Sequence, residues 1–393
     1  MSNSNGIAIQ DTCPEFLRAV KTCSEITKIY IEMVKNSLFP GRLDIMRAIT
    51  YGLCSGEHVM LMSPPGTGKS TIARYFADAM GLGTFVYPMG ANSTWDDLYG
   101  YLDPEAAIAG KIRRSWGGLA RSGVVLSFLD EMDKAPASVR NYALAGMEER
   151  TVWDPETQIE RPLDLHTMIS AVNTTIEDTE ALLNRYTLLV KSGYITDPRD
   201  FRKMRHSIRP RATKMVDVSL DDLSNLRTVV ARVAVNETDE TSNFVDMLWA
   251  NIKSVSGGEE ISDRLWQRAG VIAAGRAISE GRVAPSIADW CTAEFVLWRD
   301  PDNQEKIASW IASCVADATE FPSIEELKEK YDDILTSYQG MDLAELGRAE
   351  VMSTVCRNTL LRMGPRGDRN LASSFASLTA AIQAKIAIGG SDE

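Results

Sequence analysis

The sequence predicts an α/β protein, a parallel sheet with helices on both faces, followed by a region built of helices alone. Three observations carry this. Two apolar runs, Val124–Leu129 and Met168–Val172, are too continuous to leave a solvent face, and they alternate with stretches of helical periodicity. That is the pattern of buried parallel strands joined by crossover helices. A third apolar run, His58–Met62, leads into the small-residue turn Ser63-Pro64-Pro65-Gly66-Thr67-Gly68-Lys69-Ser70 and then into a helical pattern. Past Val216 the strand signals stop and only helical spacing remains.

At 393 residues the chain exceeds what one core organises, so several units are expected. The strand and helix patterns suggest an N-terminal helical segment over 1–35 and an αβα domain over 36–200. A linker with a helical lid over 201–300 and a helical C-terminal region over 301–393 complete the division. With 44% apolar and 24% charged residues the chain reads as globular, and no run approaches the ~20 apolar residues of a membrane helix. Met1–Asn5 lacks the basic start and apolar stretch of a signal peptide. Six cysteines (Cys13, Cys23, Cys54, Cys291, Cys314 and Cys356) show no C-x-x-C spacing and read as buried free thiols in a reducing compartment. The expected location is the cytoplasm. A net charge of −12 argues against a protein that coats duplex nucleic acid.

Taken in order, residues 1–12 are polar, and Pro14 to about Lys35 carries helical spacing until Phe39-Pro40-Gly41 breaks it. A helix from Leu43 to Leu53 precedes the strand of the Gly-rich turn. Ile72, Phe76 and Met80 recur every four residues, the face of a helix packed on a sheet, and Thr84–Tyr87 reads as the next strand. Residues 91–122 are irregular, an elaborated loop or hairpin carrying Trp95, Tyr99, Tyr101 and Trp116 with Lys111, Arg113 and Arg114. A helix follows Pro136, a hairpin is expected over Thr151–Pro162, and a short helix around Thr179–Leu183 leads to the strand Thr187–Val190. Arg199 to Lys214 holds seven basic residues and one acid; it reads as a solvated linker or subunit interface, or as a nucleic-acid contact. Leu265, Ala269, Ile272, Ala273 and Ala277 form an amphipathic stripe. Further helices are marked by Ile307 to Cys314, by the capping box Ser323-Ile324-Glu325-Glu326, and by Leu371 to Ile382 after the break Gly364-Pro365-Arg366-Gly367.

The chemistry lies at the ends of the predicted strands. Pro65, Gly66, Thr67, Gly68, Lys69, Ser70 and Thr71 form a phosphate cradle: glycines let backbone N–H groups curl around an anion, and the helix N-terminus adds positive character. Lys69 would reach the β- and γ-phosphates of ATP, and Ser70 would ligate Mg2+. Ser63 stands where the motif G-x-x-x-x-G-K-[ST] expects its first Gly. Asp130 and Glu131 end a buried strand, where open α/β sheets bind ligands. Asp130 can complete the Mg2+ shell and Glu131 can take a proton from water. Asn173, ending the next strand, can orient that water.

With these residues in this order, the chain resembles the MoxR class of AAA+ ATPases, and within it the RavA branch. The resemblance rests on Ser63–Ser70, Phe128-Leu129-Asp130-Glu131-Met132-Asp133-Lys134-Ala135-Pro136, Met147-Glu148-Glu149-Arg150, Ala171-Val172-Asn173 and Leu182-Leu183-Asn184-Arg185-Tyr186, and covers roughly residues 36–300. It implies that Lys69 and Ser70 are Walker A residues, Asp130 and Glu131 the Walker B pair, and Asn173 sensor 1. Arg185 would be an arginine finger entering a neighbour's site, and Arg264 the sensor 2 of the lid. Trp95–Gly118 would be the helix-2 insert and Thr151–Pro162 the hairpin before sensor 1, both facing a pore. The function implied is chaperone-like remodelling of a protein client by a hexameric ring, commonly with a partner bearing a von Willebrand factor A domain. A nucleic-acid-stimulated motor or loader and a nucleotide-gated scaffold are the alternatives. Two further departures stand out: Asn184 precedes Arg185 where an Asp is common, and residues 301–393 read as helical where the RavA branch carries a β-rich domain.

Overall fold

A computed structural model of the chain describes residues 13–154, 156–173, 183–206, 211–318, 324–341, 343–362 and 369–388. The expected helix around Thr179–Leu183 falls almost wholly outside these residues. So do Ser323 of the capping box and the break at Gly364–Gly367.

The chain divides into two units, Met1–Tyr30 with Phe39–Ile311, and Ile31–Leu38 with Ala312–Glu393. The first opens with most of helix α1 (Pro14–Lys35), which crosses into the second unit at Ile31, and with α2 (Leu43–Ser55), which stops at Gly56, whose φ of 72° is the left-handed conformation that suits glycine. Strand β1 (Val59–Met62) is buried along its whole length and feeds α3 (Lys69–Met80) and β2 (Gly83–Pro88). Residues 91–122 are a hairpin carrying helices: α4 (Trp95–Tyr99), β3 (Gly100–Leu102), α5 (Pro104–Ile108) at the tip, and β4 (Arg114–Trp116) pairing antiparallel with β3. Strand β5 (Val124–Asp130), helix α6 (Ala137–Glu149), the hairpin β6 (Thr151–Asp154) and β7 (Ile159–Pro162), then β8 (Thr167–Val172) and β9 (Leu188–Lys191) complete the α/β part.

The main sheet is all parallel in the order β2-β5-β8-β1-β9. β1 and β8 are buried throughout, as the unbroken apolar runs require of strands covered on both faces. β1 lies between β8 and β9, while α3 carries the chain away to β2 at the opposite edge. The turn after β1 therefore opens at the C-terminal edge of the sheet, next to the ends of β5 and β8.

Four elements and a 3-10 run follow: α7 (Pro198–His206), α8 (Leu220–Ala234), α9 (Asp239–Val255), α10 (Asp263–Ser279) and Ile287–Phe295. Ser219 caps α8 through a reciprocal capping box with Asp222. Trp290 and Trp298 are the largest fully buried side chains of this region. The second unit holds the end of α11 (Gln304–Ala318) with α12 (Ile324–Ser337), α13 (Leu343–Arg362) and α14 (Arg369–Ile388). Its core is two clusters, one around Leu327, Cys356 and Phe375, the other around Ile334, Leu346, Leu378 and Ile382. All six cysteines are free, but only Cys23, Cys54 and Cys356 are buried; Cys13, Cys291 and Cys314 are partly exposed. Among the described residues no helix is long and apolar enough to cross a membrane.

Candidate functional site

The turn after β1 is shaped by two glycines with φ of 80° (Gly66) and 89° (Gly68), a region closed to most side chains. A Cβ at either position would meet nothing within 4 Å, so the glycines serve the curl of the backbone and face open space. Helix α3 begins at Lys69 with no side-chain cap, leaving its first-turn N–H groups for an external acceptor. Ser63, in place of the first glycine, bonds Thr67 hydroxyl to hydroxyl at 2.7 Å, and Thr67 donates to the Pro64 carbonyl at 2.9 Å. That cross-brace fixes the turn from inside. Lys69 is buried and donates to the carbonyls of Ser63 at 2.6 Å and Pro64 at 3.2 Å and to Asn173 Oδ1 at 3.1 Å. Burial pulls its pKa down, against the opposing pull of Asp130, Asp133 and Glu131. An ammonium held only by neutral acceptors is ready to exchange them for an anion.

The Ser70 hydroxyl donates to Asp130 Oδ2 at 2.5 Å, so two oxygens from α3 and the end of β5 already converge. Among the described residues no group of three or more His, Cys, Asp or Glu could cage a metal ion. The pair Ser70 and Asp130 fits Mg2+ instead, a cation that keeps waters and shares phosphate oxygens rather than filling a protein cage. Glu131 adopts φ 54°, ψ 40°, left-handed backbone that a non-glycine residue occupies at a cost of about 1 kcal/mol or more. The twist turns its carboxylate away from the strand axis toward Asn173, whose Nδ2 donates to Oε1 at 3.4 Å, while Lys134 pairs with the same oxygen at 2.6 Å.

Two neighbours escaped the sequence reading. Arg42, at the start of α2, is buried and donates to the Thr67 carbonyl at 2.9 Å, the Gly193 carbonyl at 2.8 Å and Ser192 Oγ at 3.1 Å. Burial lowers its pKa. It ties the phosphate turn to the chain beyond β9, where the Tyr194 hydroxyl donates to the Pro65 carbonyl at 3.4 Å. The only signal in the sequence was its position directly after the Phe39-Pro40-Gly41 break.

The structure thus gathers Lys69, Ser70, Asp130, Glu131 and Asn173 at the C-terminal edge of the sheet. Arg185 and Arg264 are elsewhere. Both reach Glu148: Arg264 Nη2 pairs with Oε1, and Arg185 Nε lies 3.6 Å from Oε2. Glu148 is in the last turn of α6, a helix that starts just past Glu131 and runs the other way for 13 residues, about 20 Å at 1.5 Å per residue. The next residue, Arg150, donates to the carbonyls of Gly56, Leu165 and His166, which precede β1 and β8. The two arginines therefore sit at the N-terminal edge, away from this chain's own phosphate turn. Nearby, Glu57 bonds Thr187 and Arg268, which fastens α10 to the foot of β1 and β9.

The hairpin β3–β4 and the hairpin β6–β7 meet through a guanidinium and a ring, Arg161 lying over Trp116 at 5.1 Å. Arg114 lies over Trp95 at 4.1 Å and pairs with Asp96 at 2.6 Å. In the basic stretch, α7 carries Arg199, Arg202, Lys203 and Arg205 on an exposed surface, with Arg199 paired to Asp197 at 3.0 Å; Arg209 lies outside the described residues.

Residues 25–215 match the family model of the MoxR domain in the MoxR–vWA–β-propeller ternary systems, and residues 240–311 match that of an AAA lid domain. An uncharacterised protein of Methanocaldococcus jannaschii is 23% identical over 287 residues, 70% of this chain and 72% of that protein. Lon protease of Leptospira interrogans is 30% identical over 152 residues, 36% of this chain; the match spans only 18% of that protease. The crystal structure of a Cytophaga hutchinsonii protein assigned as an ATPase shares the fold, with a TM-score of 0.58 at 17% identity, over 76% of this chain and 96% of that chain.

Proposed function

Because the chain belongs to the MoxR family of AAA+ ATPases, we propose that it hydrolyses ATP at sites completed between neighbouring subunits of a ring, and uses the cycle to remodel a protein client. One observation carries this reading: the phosphate turn with its acids and the two arginines occupy opposite edges of one sheet. A head-to-tail contact, the kind that closes rings, is what brings such complementary halves together.

In this reading Pro65 to Thr71 wrap the phosphates, with Lys69 leaving the Ser63 and Pro64 carbonyls for the β- and γ-oxygens. Ser70 and Asp130 would hold Mg2+, which would neutralise charge on the phosphates. Glu131 accepts the proton of the attacking water, and Asn173, touching both Glu131 and Lys69, keeps that water in line. Arg185 and Arg264 supply positive charge to the neighbour's γ-phosphate, a contribution worth on the order of 10³–10⁵ in rate in related phosphoryl transfers. Residues 36–200 serve as the nucleotide domain and 201–300 as linker and lid, in a cytoplasmic, hexameric assembly. The ternary systems named for the matching family support a partner with a von Willebrand factor A domain. The described residues of 301–393 are helical, so a RavA-type β-rich domain has no counterpart among them.

The test is steady-state phosphate release. Lys69→Ala should lose ATP binding, while Glu131→Gln should bind ATP and lose about 10²–10⁴ in turnover. Arg185→Ala should bind ATP and lose turnover as well. Undiminished turnover in any variant removes that residue's role. The exposed basic helix α7 favours a second reading, in which nucleic acid stimulates turnover; absence of stimulation at low salt would dismiss it.

A further inference from the structure

We propose that Glu148 is a positioning residue that holds Arg185 and Arg264 as a pair for presentation to the neighbouring subunit's nucleotide; the proposal rests on the reading just given. Four observations carry it. Each carboxylate oxygen serves one arginine, Oε1 to Arg264 from α10 and Oε2 to Arg185 from the loop before β9. The carboxylate is drawn in, with 15% of its side chain exposed, whereas Arg185 and Arg264 expose 36% and 43%. The arginines engage it through one nitrogen each, Nε of Arg185 and Nη2 of Arg264. Among the described residues the one hydrogen bond found from either guanidinium is that of Arg264 to Glu148, and both arginine side chains remain partly exposed to solvent.

The fourth observation is local. Helix α6 ends Met147-Glu148-Glu149, and acids in a last turn oppose the negative end of the helix dipole. Helix stability alone would place a cation there. A locally disfavoured acid that is largely covered and shared by two arginines from separate elements marks a site shaped for something other than the helix. Its charge also offsets the repulsion between two guanidiniums that must stand together to meet one phosphate.

The experiment compares wild type with Glu148→Gln, which keeps the shape and removes the charge. The expected result is a fall in kcat of about tenfold or more, with KM for ATP, assembly state and melting temperature close to wild type. Added to Arg185→Ala, the Gln substitution should cost less than it does alone, because one of its two targets has gone. An unchanged kcat, a rise in KM alone, or a full multiplicative loss in the double variant would overturn the proposal. If the Gln variant fails to fold, Glu148→Asp takes its place. One methylene shorter, it reaches one arginine only and is expected to lower kcat without changing KM, and wild-type kcat there would refute the role. A wild-type protein without turnover would instead remove the underlying reading of the ring.

Discussion

The opposite placement of the two half-sites makes a sharp prediction about mixed assemblies. Lys69→Ala removes the cation of the phosphate turn and leaves the arginines intact; Arg264→Ala does the reverse. Arg264 meets Glu148 at the far end of α6, about 20 Å of helix from the Asp130–Glu131 end. If it acts on the neighbour's nucleotide, a working site forms wherever an Arg264→Ala subunit supplies the turn and a Lys69→Ala subunit supplies the arginine. At equal expression each condition holds half the time, so about one quarter of the interfaces in a head-to-tail ring are complete. With an arginine worth on the order of 10³ in rate, each parent alone runs near 0.1% of wild type, and the mixture should exceed either by about two orders of magnitude. The assay is phosphate release by co-expressed, co-purified chains against each variant alone. If Arg264 served its own subunit, no combination would hold both residues in one site. Activity of the mixture no greater than the mean of its parents would then refute the argument for action across the interface.

Two further outcomes concern stability. His166 is fully buried, and desolvation together with Arg150 and Arg227 lowers its pKa to about 3, while His58 is shifted the same way by burial, Arg150, Arg268 and His166. His166 is neutral in the fold and protonates in the unfolded chain below about 6.5, so its contribution to stability is full above that pH and is lost as pH drops from 6.5 toward 3, by about 1.4 kcal/mol per unit, with His58 acting in the same direction. The melting temperature should fall across this window and fall less steeply in His166→Gln; equal slopes would contradict the assignment. Arg268→Met should leave the Glu57 carboxylate largely covered without its ion-pair partner, at a cost of about 3 kcal/mol by urea denaturation, most of it recovered in the double variant with Glu57→Gln. A loss under about 1 kcal/mol would mean that the pair is screened like a surface one.

The parts of the site that were legible in the sequence are those whose chemistry is compressed into adjacent residues. Ser63–Ser70 reads directly because the curl, the cation and the hydroxyl occupy eight consecutive positions, and Asp130-Glu131 reads because a buried strand announces where its end must be. The strands of the parallel sheet were legible for the same reason, since burial on both faces leaves no polar alternation. Residues 91–122 were not resolved beyond a loop or hairpin, because β3 and β4 are three residues each and their stability comes from Trp95, Trp116 and Arg114 packing across the hairpin. Arg42 was invisible for a stronger reason: its acceptors are 25 and 151 positions away in the chain.

Glu148 belongs with Arg42 in that respect, since its arginine from α10 is 116 positions away. Lys134 and Asn173 contact Glu131, which lies six residues and a 3-10 turn before α6, and Arg185 and Arg264 pair with Glu148 in the last turn of α6. The 13-residue α6 and the short turn before it are the covalent link between the two clusters. If nucleotide in the turn shifts Glu131, that shift would reach the Glu148 pairings through this link, because packed elements do not absorb displacement continuously. The arginines offered to one neighbour would in that way depend on the nucleotide held for the other. Such coupling needs no contact beyond those described, and it would disappear in Glu148→Gln even where ATP binding and assembly persist.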